Sequence, residues 1–308
     1  MPNVLVIGAS TGLGRATARA FLRADATVVA AGRDVDAIRA ALAGPAPVAI
    51  GKVDLADLAD VHRFARATAA GPPLDAIVCN AGVQVARGHA RSADGHELTF
   101  AVNHLAHAAI ALTLVPHLRP GARVVFIGSG TLDPRDRGAR RFGFRGGQYT
   151  TARALADGAG DPAVDEAQHG RDRYATSKLC NLLMMAELAR RVPAAQVGFH
   201  ALDPGLMPGT NLARDRSWIE RLLWRTVMRA AVPLIPGAST ARRSGAAVAW
   251  LATDPALAGQ TGRYVDYRRR VIEPWEGARR TDWAADLYAG TIALAGIDPA
   301  ALPSMLRP

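Results

Sequence analysis

Residues 4–23 read VLVIGASTGLGRATARAFLR, and this stretch decides the fold. Residues 4–7 are a short apolar run, strand-like in length and composition. GASTGLG (8–14) follows directly, and a segment rich in Ala and Arg continues as a helix to about residue 23. Strand, glycine turn and helix make the setting in which a Gly-rich loop binds a dinucleotide. The glycines let the backbone turn tightly and approach a pyrophosphate seated on the helix N-terminus. The spacing is Gly8-x-x-x-Gly12-x-Gly14, which differs from the commoner Gly-x-Gly-x-x-Gly.

Further strands are expected at 27–31, 48–53, 75–79, 123–128, 196–202 and 263–267, separated by helix-length segments. Alternation of this kind predicts an α/β fold, a doubly wound parallel sheet of about seven strands with ligands at the strand C-termini. The second strand ends in Gly32-Arg33-Asp34. An acid at that place favours NAD, and a nearby arginine accommodates the 2′-phosphate of NADP. Gly32 stands where the acid is expected and Arg33 follows, which favours NADP(H); the alternative is a solvated Arg33 with Asp34 capping the next helix. Asp54-Leu55 closes the third strand and Asn80-Ala81-Gly82 the fourth. These positions suit cofactor contacts and equally suit turn-formers or caps.

The chemistry centres on residues 170–190, a buried helix. Tyr174 and Lys178 lie four apart, so their side chains share one helical face. An ammonium beside a phenol stabilises the phenolate, and the expectation is a Tyr174 pKa lowered toward neutrality. Residues 95–118 form a second long helix, with Asn103 among apolar neighbours. A buried amide must be hydrogen-bonded, so Asn103 is a structural bracket or part of a site. His104 and His107 read as packing or partly exposed, and without a suitably spaced third ligand no metal is expected. Ser129 ends the fifth strand. No Gly-x-Ser-x-Gly elbow surrounds it, which argues against a hydrolase.

The 308 residues are 49% hydrophobic and 21% charged, and no apolar run resembles a membrane span. The net charge of +10 comes from scattered arginines, many beside Asp, so nucleic-acid binding is not expected. Cys79 and Cys180 sit in apolar text, no signal peptide is evident, and a cytoplasmic location is expected. One domain spans 1–308, with an Arg-, Gly- and Asp-rich insertion at about 130–173 expected to cover the site mouth. A lid is expected at about 211–236. There Arg221, Arg225 and Arg229 oppose Trp218, Ile219, Leu222 and Leu223; a solvated lid is favoured over a membrane-surface helix. Faces on the last helices leave a homo-oligomer open.

The glycine motif, Asn80-Ala81-Gly82, Asn103, Ser129, Tyr174-x-x-x-Lys178 and Pro204-Gly205 resemble, in order and distance, the short-chain dehydrogenase/reductase family over nearly the whole chain. The resemblance implies a single-domain Rossmann fold with Tyr174 as general acid/base. Ser129 would bond the substrate oxygen, Lys178 would bind the nicotinamide ribose, and Asn103 would hold a water in the proton relay. Cofactor would be held by Gly8, Ser10, Thr11, Gly12, Leu13, Gly14, Arg33, Asp54, Leu55, Asn80, Ala81, Gly82, Pro204, Gly205 and Met207, with Tyr174 and Lys178. AGRD (31–34), DGHELTFAVNHLAH (94–107), FIGSGT (126–131) and YATSKLCNLL (174–183) are similar to the branch with retinol-dehydrogenase-type enzymes and light-dependent protochlorophyllide reductase. The 45 residues from Ser129 to Tyr174 suit that branch, and Cys180 stands where its protochlorophyllide enzymes carry a cysteine. Departures are Ile7 where many members have Thr, and Thr210 one residue late after Pro204.

The expected function is an NADP(H)-dependent oxidoreductase moving hydride between nicotinamide and an alcohol or carbonyl of a bulky apolar small molecule. Substrate bulk is inferred from Trp218, Ile219, Leu222, Leu223 and Trp224. The alternatives are a light-dependent protochlorophyllide-type reductase and a non-catalytic NADP(H)-binding sensor.

Overall fold

Alternate residues of the first strand divide between two apolar cores. Val4 and Val6 pack with Leu13, Phe21, Ile38 and Val248, while Leu5 and Ile7 pack with Phe64, Ile110, Leu182 and Tyr288. A strand buried on both faces reads as a continuous apolar run, the mark of a covered parallel sheet. The computed structural model describes residues 1–44, 47–207 and 237–308.

Strands β1 (Asn3–Ile7), β2 (Thr27–Gly32), β3 (Val48–Lys52), β4 (Ala76–Cys79), β5 (Ala122–Ile127), β6 (Val197–Asp203) and β7 (Arg263–Asp266) form one parallel sheet. Their order is β3-β2-β1-β4-β5-β6-β7. The chain winds outward from β1 to β3, then resumes at β4 on the other side of β1. The loops after β1 and β4 therefore part, and this is where such sheets bind ligands. Helices α1 (Gly12–Arg23) and α2 (Val35–Ala41) cover one face and α3 (Leu58–Ala69) the other.

Helix α4 (Leu98–His117) is α-helical over Leu98–Phe100, π-helical over Ala101–Leu105 and α-helical again over Ala106–Leu114. It starts three residues later than the sequence suggests. Gly95 has φ +80°, and the Glu97 carboxylate accepts from Phe100 N at 2.7 Å to cap the first turn. By length and composition α4 could cross a membrane, contrary to the reading of the sequence, but 89% of its apolar window is buried in the domain. A helix apolar all round is what a sheet-covering core position demands.

The insertion is more ordered than its text implies. It holds α5 (Arg137–Arg141) and α6 (Ala152–Asp157), and its last residues belong to α7 (Glu166–Arg191), capped by Asp165 accepting from Gln168 N at 2.7 Å. Polar anchors replace the missing apolar periodicity: Arg145 pairs with Asp172 at 2.6 Å, and Tyr149 donates to Asp286 on α9 (Thr281–Leu294). Helix α8 (Ala241–Thr253) packs on α1. The expected lid at 211–236, its aromatic residues and Thr210 lie outside the described residues.

Candidate active site

One stripe of α7 carries Tyr174, Ser177, Lys178 and Asn181, and it faces the end of β5. Lys178 Nζ donates to Ile127 O at 3.3 Å, and Asn181 Nδ2 donates to the same carbonyl at 3.2 Å. Ile127 ends β5 two residues before Ser129. Lys178 Nζ lies 5.7 Å from the centroid of the Tyr174 ring. Gly82 leaves room at this point: a Cβ there would stand 3.7 Å from Lys178 Nζ and 3.3 Å from Asn103 Oδ1.

Asn103 sits in the π-helical turn of α4, fully buried. Its amide donates to Val83 O and to Ser177 Oγ, each at 2.9 Å, and its oxygen accepts from Val83 N at 2.7 Å. It is a bracket, and what it brackets is the loop after β4 and the Tyr174 helix. A buried pair, Arg173 with Glu97 at 3.5 Å, joins the same two helices one turn away.

The expected lowering of the Tyr174 pKa is corrected by the geometry. Burial pushes the phenol well above its ordinary value, and the Asp203 carboxylate adds to the push. Burial also pulls Lys178 down to about 8, because the same apolar surroundings that disfavour a phenolate disfavour an ammonium. Desolvation outweighs the neighbouring cation.

Ser129 is half-buried, and its Oγ accepts from Thr131 N at 3.3 Å and Thr131 Oγ1 at 3.0 Å. Either hydroxyl of this pair can donate, and a rotating hydroxyl at the end of β5 can equally turn its proton to a ligand. Asp203 ends β6, accepts from Gly205 N at 2.9 Å, and is pushed up to about 6 by burial.

The glycine loop has φ +85° at Gly8 and +54° at Gly12. A Cβ on Gly8 would stand 2.8 Å from Ala81, and one on Gly14 would stand 2.1 Å from Gly8 O. Both glycines thus serve close packing of loop, β4 end and α1. Asn80 Nδ2 ties these together, donating to Ile7 O and Gly8 O at 3.1 Å. Thr11 at the N-cap of α1 makes no side-chain cap bond, and the first turn holds no acid. Its backbone N–H groups, the Ser10 and Thr11 hydroxyls and exposed Arg33 form a donor set that fits a phosphorylated nucleotide.

Asp34 caps α2 by accepting from Ala37 N at 2.9 Å, and Asp54 accepts from Ala56 N at 3.0 Å as a turn-former. Leu13, Leu55, Pro204 and Met207 are buried beside these loops. Gly205 has φ +71°, and a Cβ there would stand 2.7 Å from Gly237 O. His104 and His107 are wholly buried rather than partly exposed, and no metal-binding group of three occurs among the described residues. Cys180 is buried in the core, its thiol pushed up, away from the site.

Four contributors escape a reading of the sequence. Ser177 and Asn181 complete the polar stripe, a signal present at positions three and seven beyond Tyr174. Phe144 of the insertion packs on Tyr174 with ring centroids 6.1 Å apart, and Asp203 carries a carboxylate to the phenol. No local pattern announces either.

A short chain dehydrogenase family model matches residues 2–135. Protochlorophyllide reductase A, chloroplastic, of Oryza sativa subsp. japonica is 32% identical over 277 residues, covering 82% of this chain and 69% of that protein. The protein of the same name from Triticum aestivum matches at the same identity and coverage. Among solved structures, an uncharacterized protein from Mycobacterium paratuberculosis superimposes with TM-score 0.69 at 27% identity, covering 97% of this chain and 94% of that one. A blue fluorescent protein from a metagenomic library, in complex with NADPH, shares the fold with TM-score 0.60 at 20% identity, covering 86% of this chain and 95% of that one.

Proposed function

The chain belongs to the short-chain dehydrogenase/reductase family, and from that premise we propose that it is an NADP(H)-dependent oxidoreductase acting on the carbonyl or alcohol of a bulky, apolar small molecule. The observation that carries the reading is the buried Tyr174–Lys178 pair, clamped to Asn103 through Ser177 and set beside Ser129 at the end of β5. A protein that only binds nucleotide has no need of this arrangement.

The α1 first turn, Ser10, Thr11 and Gly12 would hold the phosphates, and Arg33 the 2′-phosphate. Bound there, the cofactor supplies or accepts hydride at its nicotinamide ring. The rest is the work of this chain. Ser129 donates its proton to the substrate oxygen and orients it. Tyr174, held protonated by burial, gives its phenolic proton to that oxygen in the direction of reduction. The Lys178 ammonium then stabilises the phenolate left behind, and Asn103 holds the loop after β4 against the Tyr174 helix.

A second reading, light-driven reduction of protochlorophyllide, is favoured by the names of the two plant relatives. Fluorescence titration with NADPH and NADH, followed by turnover of aromatic and long-chain ketones and aldehydes in darkness, separates the two. Tight NADPH binding with dark oxidation supports the carbonyl reductase. Binding with turnover of protochlorophyllide only under light supports the second reading. Absence of nucleotide binding overturns both.

A further inference from the structure

The Asp203 carboxylate has no part in the chemistry just described, yet it stands at the substrate end of the site. It ends β6, hydrogen-bonded along β5 where Gly128 N donates to Leu202 O at 2.9 Å. Its Oδ2 lies 3.5 Å from where a Cβ on Gly130 would sit, so it borders the loop that begins at Ser129. Its charge acts on the Tyr174 phenol.

The groups around Asp203 are themselves acidic or neutral. From the loop after β5 comes Asp136, whose Oδ2 is 2.6 Å from the same point beside Gly130. From β7 come Asp266, opposite Asp203 in the sheet, and the buried Tyr264 ring against Gly128. Asp266 is paired with Arg270 at 2.6 Å, whereas no described cation pairs with Asp203 or Asp136. Lys178 on α7 directs its ammonium to Ile127 O. Negative charge is thus left uncompensated where a substrate oxygen would meet Ser129 and Tyr174, in surroundings of low dielectric where like charges repel strongly.

We propose that Asp203 is a specificity-determining residue: its carboxylate, beside Gly130, the residue that follows Ser129 in the chain, turns away substrates that bring an anionic group to the carbonyl end and restricts the site to uncharged carbonyl compounds. The proposal rests on the oxidoreductase reading above. Protonation of Asp203 removes the barrier, and burial places that protonation at about pH 6.

The test uses two aryl ketones that differ only in carrying a sulfonate or a methyl sulfone, the sulfonate staying charged throughout. The wild-type ratio of kcat/KM, sulfone over sulfonate, is expected to rise about tenfold from pH 5 to pH 8, as a like charge forms beside the ligand. In Asp203→Asn, which keeps an acceptor for Gly205 N–H, the ratio is expected to be low and flat. A flat wild-type ratio, or an Asp203→Asn ratio that still climbs with pH, overturns the proposal, the first of these outcomes needing no variant. Competition of the two ketones for the NADPH complex, read by fluorescence, carries the same ratio without turnover. Selective binding of the sulfone with neither ketone reduced would uphold the role of Asp203 and sink the reductase reading.

Discussion

Asn103 Nδ2 donates to Ser177 Oγ over 2.9 Å, and that oxygen's own proton goes to the Tyr174 carbonyl over 2.7 Å. Through two bonds the π-helical turn of α4 is fastened to the buried Tyr174–Asn181 stripe on α7. Ser177→Ala removes both partners and leaves a buried amide N–H unpaired, a loss of about 1–3 kcal/mol. Urea unfolding should show a lower midpoint at unchanged slope. An unchanged midpoint would mean the clamp contributes nothing to stability.

Tyr174→Phe removes a hydroxyl and no apolar contact. Proton transfer by a placed side chain contributes roughly 10²–10⁴-fold, so kcat should fall by that order while NADPH affinity holds within a few-fold. Steady-state rates beside a fluorescence titration give both numbers. Full activity in the variant would remove the phenol from the mechanism.

The architecture was open to sequence reasoning because its signals are periodic. Strand runs, the glycine turn and the one-turn spacing of Tyr174 and Lys178 are local patterns that tertiary packing reinforces. Asp34 and Asp54 show the limit of that reasoning: both hold turn or cap bonds, which the residue type suggests without fixing the partner. The direction of the Tyr174 shift was missed for a different reason. Spacing reveals a neighbouring charge, whereas desolvation depends on everything packed around the group, including Phe144 from an insertion without periodicity. The position of Asp203 beside Gly130 follows from strand order, not from adjacent text, so no local pattern marks it.

Arg33 is exposed at the end of β2, where it makes no ion pair among the described residues, and Asp34 is occupied with capping α2. A charge-assisted bond to the 2′-phosphate would make Arg33→Ala lose roughly tenfold or more in NADPH affinity with NADH affinity unchanged. Dissociation constants for the two nucleotides measure the ratio directly. Equal losses for both would assign Arg33 to general electrostatics.

Lys178, pulled down to about 8, sets an alkaline limit on reduction. Its ammonium is present below that value and lost above it, while the phenol stays protonated throughout. The reductive kcat/KM should therefore be level near neutrality and fall about tenfold per pH unit beyond 8. Lys178→Arg keeps its charge at high pH and should shift the limb upward, whatever its absolute rate. A limb that stays in place would belong to another group.

His104 and His107 make the fold sensitive to acid. His104 Nε2 meets Thr291 Oγ1 at 2.9 Å, His107 Nδ1 donates to Asn103 O at 3.1 Å, and burial pulls the two rings down to about 3 and about 4. Between those values and the ordinary histidine value of about 6.5, the unfolded chain binds protons that the folded chain refuses. Stability therefore falls as pH drops through that window, by up to about 1.4 kcal/mol per pH unit for each ring. Asp203 acts in the opposite sense: its carboxyl, pushed up to about 6, is protonated first in the folded chain and gains stability as pH falls. His200, buried on β6 and likewise pulled down to about 4, adds a third histidine, and three histidines against one aspartate leave a net loss. Urea unfolding of wild type at pH 7 and pH 5 should show that loss, and a His104→Gln/His107→Gln double variant, whatever its starting stability, should lose less between the two. An equal loss in the double variant would move the acid sensitivity to His200 and the paired carboxylates.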